Sequence, residues 1–446
     1  MTNFDINTYL NSLSEDIEKI DIFNKGINYL PSLKRFKNLK TLICSSNNLT
    51  SLPTFNKNLQ ILDCSSNKLT SLPILNKNLQ ILHCSNNYLN SLPKLNKNLQ
   101  ILHCNYNKLT SLPMLNKNLE ELFCYYNKLT SLPILNENLQ KIICNGNKLI
   151  SLPLLNENLK ELECRNNLLT SLPEFNKKLE KLNCSHNILT SLPPLNENLK
   201  ELYCHCKELS FIPTLNEKLE ILYCSYSQIT SLPLLNKNLK ELYCSNNQLT
   251  YLPPLNENLK ELYCSNNQIT SLPSLNENLK ELHCDDNKLY SLPILNKNLK
   301  QLSCSRNKLI FLPHLNENLE YLHCSENQLS ILPLLNEKLN YLNCTYNKLS
   351  YLPLLNKNLH TIFCLNNPIY EIIENDNLST FEKNIIIKIL NNFRYLYYSL
   401  KFKKRFRDWL WVRIREPKIR EKYHYKYLIE NLPDEETDLD EVLNNW

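Results

Sequence analysis

A cysteine stands at residue 44 and at every twentieth residue after it to 364, so seventeen of the 18 cysteines in this chain share one spacing. Around each runs a unit of the form L-x-x-L-x-C-x-x-N-x-L-x-x-L-P-x-L-N-x-N, as in Leu59, Leu62, Cys64, Asn67, Leu69, Leu72, Pro73, Leu75 and Asn76. So short a fixed period restricts the fold severely. A unit of this size cannot bury its own apolar residues and must stack on its neighbours to do so. A proline in every unit rules out continuous helix, because each would delete a hydrogen bond and clash with the turn before it. Leu62 and Cys64 alternate with Ile61, Asp63 and Ser65, the period of a strand with one buried face. Twenty residues leave no room for a strand, two turns and a full helix, so the returning S-L-P-x-L-N segment is expected to be extended or polyproline-like.

The L-x-x-L-x-C-x-x-N-x-L core resembles the signature of leucine-rich repeat proteins, with cysteine in the third apolar place. The resemblance covers about residues 38–370. A degenerate earlier unit keeps Ile17, Ile20, Ile22, Ile27, Leu30 and Pro31 at the same offsets, while Lys25 replaces its asparagine. The resemblance implies a leucine-rich repeat solenoid: a curved parallel β-sheet on the concave face, a convex side without full helices, and an α-helical C-terminal cap. The boundaries expected are an N-terminal helical cap over 1–16, a solenoid of about 18 units over 17–370 and an α-helical module over 371–446. The spacing with L-P is also similar to the repeats of bacterial effector ligases. Those enzymes need a large C-terminal domain with a nucleophilic cysteine, whereas no cysteine follows Cys364 and about 80 residues remain. With only 2 glycines no glycine-rich phosphate cradle can form, and no nucleophile motif or carboxylate pair stands out. The chain reads as non-enzymatic, with no cofactor and no metal.

The cysteines admit three readings. Disulfides are disfavoured because neighbouring strand residues lie about 4.8 Å apart, whereas bridged β-carbons sit near ~3.8 Å. Metal ligands usually come in pairs two to four residues apart. What remains is a small hydrophobe at an inward strand position, in keeping with a reducing compartment. Cys206 is the exception, beside Lys207 where an asparagine is due; Ser227 replaces the next asparagine. The asparagines at 47, 67 and onward to 367, present in 15 of 17 units, are expected to satisfy backbone groups in the turn and in the adjacent coil. The column from Asn56 to Asn356 is expected to do similar work on the other side.

Outward strand residues line the concave face. Tyr203, Tyr223, Tyr243 and Tyr263 form one column, and Glu201, Glu241, Glu261 and Glu281 lie beside it with Ile221 interrupting. Rigid aromatic area beside carboxylates suits a protein partner presenting Arg or Lys and repels a phosphate backbone. Duplication of one unit also generates columns whether or not anything binds them, and both readings stand. His83 and His103 are adjacent in the tyrosine column, and His283 and His323 lie further on. A metal between the first pair would need further ligands.

After Pro368 the period stops. Ser379 and Glu382 form a capping-box pattern, followed by Ile386, Ile389, Leu390 and Phe393 at helical spacing, in a helix that should end or kink before Pro417. A second helical stretch is expected over 418–432. Residues 394–426 carry 12 basic and 3 acidic side chains, and 430–441 carry 7 acidic and no basic ones. Phe402, Phe406, Trp409 and Trp411 among these basic residues suit either a cap over the last coil or, as an alternative function, nucleic acid or an anionic membrane. The stretch WLWVRIREPKIREKYH (409–424) resembles a segment near the C-termini of leucine-rich repeat proteins of giant amoeba-infecting DNA viruses. The first residues lack the basic and apolar regions of a secretion signal, and no segment has the run of roughly 18–20 apolar residues that a membrane helix needs. The expectation is a monomeric protein in the host cytoplasm or the virion.

Overall fold

The computed structural model describes residues 4–369 and 380–422. Eighteen three-residue strands follow one another, β1 (Lys19–Asp21) twenty-two residues before β2 (Thr41–Ile43) and the rest at the repeat spacing to β18 (Thr361–Phe363). Each pairs in parallel with the next in equal register, as Leu42 opposite Leu62 shows, and together they form one sheet. β1 is the degenerate early unit: Ile20 and Ile22 are fully buried, and Ile27 and Leu30 nearly so. Returning segments carry no helix in any coil, and a second backbone ladder crosses from coil to coil, for example Lys68 N–H to the Leu49 carbonyl at 2.8 Å. The leucine-rich repeat solenoid expected from the sequence is the observed fold.

Stacking places like on like. The central strand leucines and the cysteines line the interior, where full burial of a leucine contributes roughly 1.5–3 kcal/mol. Every cysteine from 44 to 344 is a free, buried thiol, and Cys364 is partly buried. Several thiols donate weakly to the next strand, as Cys64 does to the His83 carbonyl at 3.4 Å. The asparagines act as expected. Asn67 Nδ2 donates to the carbonyls of Cys44 (3.0 Å), Cys64 (3.1 Å) and Ser65 (3.1 Å), and its Oδ1 accepts the Leu49 N–H at 2.9 Å. On the other side Asn76 Nδ2 reaches the Asn56 carbonyl at 3.1 Å. A third column, not assigned a role from the sequence, begins with Asn58, whose Nδ2 donates to the Lys37 carbonyl at 2.7 Å.

Two residues past each cysteine the chain turns through the left-handed region, in residues as large as Tyr106 (φ 52°) and Arg306 (φ 51°). Such a conformation is uncommon for bulky residues. Here it aims the N–H at the next coil, as Tyr106 N–H meets the Tyr125 carbonyl at 2.9 Å. Cys206 alone in the series lacks it. Its sulfur donates to the Cys184 carbonyl at 3.3 Å and is hydrogen-bonded by the N–H groups of Asn187 and Leu189. An asparagine at 207 would serve the Cys184 carbonyl and the Leu189 N–H, so the thiol replaces the missing amide.

At the N-terminus α1 (Ile6–Ser12) is capped by Asp5, whose carboxylate accepts the N–H groups of Asn7 (3.1 Å) and Thr8 (3.2 Å). Its Ile6 and Leu10 are buried.

Tyr351–Leu355 and the described residues from 380 on belong to a second compact unit. Its main element is α2 (Thr380–Leu410), which continues through a π-helical turn, Trp411–Arg415, into α3 (Glu416–Lys422). Among the described side chains of α2 Ile387 is buried, whereas Ile389 and Phe393 are exposed. The face that docks holds Asn384 and Asn391, whose side chains reach backbone groups of Leu355 (2.8 Å) and Leu352 (3.1 Å), so hydrogen bonding chooses it. Of the end or kink expected before Pro417, the end does not occur. The helix widens into the π turn, where Glu416 N–H bonds the Trp411 carbonyl, and runs on. Ser379, most of the second helical stretch after Lys422, and the acidic run lie outside the described residues. No described helix is long and apolar enough to cross a membrane.

Candidate functional site

Strand residues on either side of each buried leucine face outward, half-buried, which fixes two parallel columns along the sheet. Equal register over β10 (Glu201–Tyr203), β11 (Ile221–Tyr223), β12 (Glu241–Tyr243), β13 (Glu261–Tyr263) and β14 (Glu281–His283) sets Tyr203, Tyr223, Tyr243, Tyr263 and His283 side by side. Their rings stack in one run, with centroids 4.9, 3.8, 4.5 and 4.3 Å apart in that order. Glu201, Ile221, Glu241, Glu261 and Glu281 form the neighbouring column in the same register.

The two columns are bonded to each other. The Tyr243 hydroxyl donates to Glu261, Tyr263 to Glu281 at 2.5 Å, and Tyr203 to its own neighbour Glu201 at 3.3 Å. Burial in the stack, together with these carboxylates, holds all three phenols above the ordinary tyrosine range. Burial and the adjacent Glu261 and Glu201 raise Glu241 as well, the mark of crowded negative charge. Part of that charge is answered nearby: Lys181 lies 3.7 Å from Glu201, and Lys240 and Lys260 stand at the strand beginnings and lower Glu241. At the end of the run the His283 Nε2 is buried without a hydrogen-bond partner among the described residues.

Toward the N-terminus His83 stacks on His103 at 4.4 Å and His103 on Phe123 at 4.2 Å, so the histidine pair belongs to a second aromatic run. His103 Nε2 lies 2.7 Å from a Glu121 oxygen. Among the described residues no group of three His, Cys, Asp or Glu is placed to hold a metal. His323 is bonded to Ser325 (3.0 Å) and Asn343 (3.1 Å). Phe123 went unnoticed in the sequence although it stands in the same strand position as the tyrosines.

Stacked parallel strands presenting side-chain columns in equal register define a repeat solenoid. This chain belongs to the leucine-rich repeat family. The model described as leucine-rich repeats (2 copies) matches residues 217–257 and 237–277. Among solved structures, the chain is 31% identical to YopM from Yersinia enterocolitica, with a TM-score of 0.65 over 79% of this chain and 88% of that one. For the leucine-rich effector YopM from Yersinia pestis the values are 31%, 0.54, 78% and 88%. A leucine-rich repeat protein from Leptospira interrogans is 28% identical, with a TM-score of 0.53 over 87% of this chain and 97% of that one. Comparison with curated protein sequences gave no match. Solenoids of this family are in general protein-interaction scaffolds.

Proposed function

We propose that the protein is a non-enzymatic scaffold whose concave sheet binds a basic protein surface through Tyr203, Tyr223, Tyr243 and Tyr263 with Glu201, Glu241, Glu261 and Glu281. The observation that carries this reading is the tyrosine stack bonded to its carboxylates. It offers a rigid aromatic strip, and binding Arg or Lys there relieves the crowding that raises Glu241. The resemblance of 409–424 to tails of giant-virus proteins supports a viral origin, with a host or another viral protein as partner, in the host cytoplasm or the virion.

A second reading rests on α2, where Phe402, Phe406 and Trp409 are exposed among the exposed Lys403, Lys404 and Arg405. That face suits nucleic acid or anionic lipid. One experiment separates the two. Pull-down with the intact chain should capture a basic protein, and Tyr223→Ala, Tyr243→Ala and Tyr263→Ala together should abolish capture without unfolding the chain. Capture untouched by the triple variant, or salt-sensitive binding to RNA or anionic vesicles in place of protein capture, sinks the sheet as the site.

A further inference from the structure

One or two residues past the cysteines, rings line up on both sides of a gap. Tyr106 stacks on Tyr126 at 4.8 Å. Further along, His205 lies 4.4 Å from His186 and 4.8 Å from Tyr226. Gly146 and Asn166 stand between, and Gly146 is one of only 2 glycines in the chain. Its φ of 63° does not explain the glycine, because tyrosine, histidine and arginine make the same turn in other coils. Its neighbour does. A Cβ at 146 would sit 2.6 Å from Tyr126 Cδ1, so the absent side chain is what lets the Tyr126 ring lie down on this backbone. What results is a cavity of about 460 Å³ lined by Phe123, Tyr125 and Tyr126 from one coil and by Arg165 and His186 from those beyond.

Charge in this notch is one-sided. Glu163, the carboxylate of the lining, is already held by Asn145 Nδ2 at 2.9 Å and Lys181 Nζ at 3.5 Å. Lys181 also answers Glu161 and Glu201, and Lys141 answers Glu161 at 2.8 Å. The exposed Arg165 donates its backbone N–H to Asn145 Oδ1, yet its guanidinium has no hydrogen bond or ion pair among the described residues. Burial, with Arg165 nearby, holds His186 and His205 below the usual histidine range, so both stay neutral near pH 7. The cavity therefore combines aromatic walls with one unanswered positive charge of fork geometry, which matches a single carboxylate.

We propose that this notch binds a partner peptide through an aromatic side chain followed by an acidic one, the ring filling the gap in the ladder and the carboxylate pairing with Arg165. The site lies outside the tyrosine columns and is opposite to them in charge, so it stands or falls separately from the sheet reading. Fluorescence anisotropy of the intact chain with a labelled Gly-Tyr-Glu-Gly peptide tests it, against matched Gly-Tyr-Gln-Gly and Gly-Ala-Glu-Gly peptides. Saturable binding of the first is expected, with a loss of roughly tenfold for either control peptide and for Arg165→Gln, in line with losing one charged hydrogen-bonded pair or one stacked ring. Gly146→Ala, which forces Tyr126 to move, should weaken it too, whereas Tyr243→Ala should leave it unchanged. Equal affinity for the three peptides, no saturable binding, or full affinity in Arg165→Gln would overturn the proposal.

Discussion

Asn247 shows how much one amide does in this chain. Its Nδ2 donates to the carbonyls of Cys224 (2.9 Å), Cys244 (3.0 Å) and Ser245 (3.3 Å), and its Oδ1 takes the Ile229 N–H at 3.0 Å. Asn247→Ala leaves buried groups of two coils unpaired, where water cannot reach them. A loss of about 2–4 kcal/mol is expected in urea unfolding, since one unsatisfied buried group alone costs ~1–3 kcal/mol. Lys207→Ala, at the equivalent place in another coil, should cost under about 0.5 kcal/mol, because Lys207 is exposed and Cys206 has taken over the work. Equal losses at the two positions would contradict this division of labour.

At the scale of elements, strand position, register and inward cysteine face were legible, because period two and period twenty together leave no freedom. So were the two asparagine columns and the direction of Tyr203–Tyr263 and Glu201–Glu281. Parity tells which way a side chain points but not whether neighbours touch. The stacking and the bonds from Tyr243 to Glu261 and Tyr263 to Glu281 therefore needed coordinates. The gap at Gly146 lies outside the strands, where parity says nothing, although a glycine in a column otherwise filled by side chains is a readable signal. In α2 the spacing of Ile386, Ile389, Leu390 and Phe393 named the helix but not its docked face. Helical period fixes which residues share a face, but the polar Asn384 and Asn391, beside Ile387, decided which face docks.

For the whole molecule the cysteine interior has a titration consequence. Burial pushes the thiols of Cys104, Cys144 and Cys224 up to about 12, and holds others such as Cys64 and Cys244 well above the ordinary thiol value. Below the ordinary thiol value of about 8.5 both states keep their protons and this contribution is fully present. As pH rises above it, the unfolded chain sheds protons that the folded chain retains. The unfolded state then binds fewer protons, so stability falls with rising pH until the folded values are reached. Each thiol adds a slope of up to ~1.4 kcal/mol per pH unit. Tm should be nearly flat with respect to these thiols from pH ~6 to 8 and fall steeply above about 9. Replacing Cys144 and Cys224 by Ala should make that fall shallower. A Tm indifferent to alkali up to pH ~10.5 would mean the thiols are not buried.

The break in the asparagine column at Lys207 and Ser227 has a mechanical meaning. Ser227 Oγ offers one bond to the Ser225 carbonyl and takes one from the Cys206 N–H, both at 3.3 Å, where Asn247 makes four contacts across two coils. Under tension applied at its two ends, a stack of nearest-neighbour contacts tears where the fewest bonds share the load. Stretched in optical tweezers, the solenoid should rip first between these two coils. Each freed coil then lengthens the tether by roughly 65–70 Å, the span of an extended twenty-residue segment. Ser227→Asn should raise the force of that first rip; an unchanged first rip would place the weakest joint elsewhere. If the first rip falls there, a load on this protein would part it near the middle of the solenoid before it unravelled from either end.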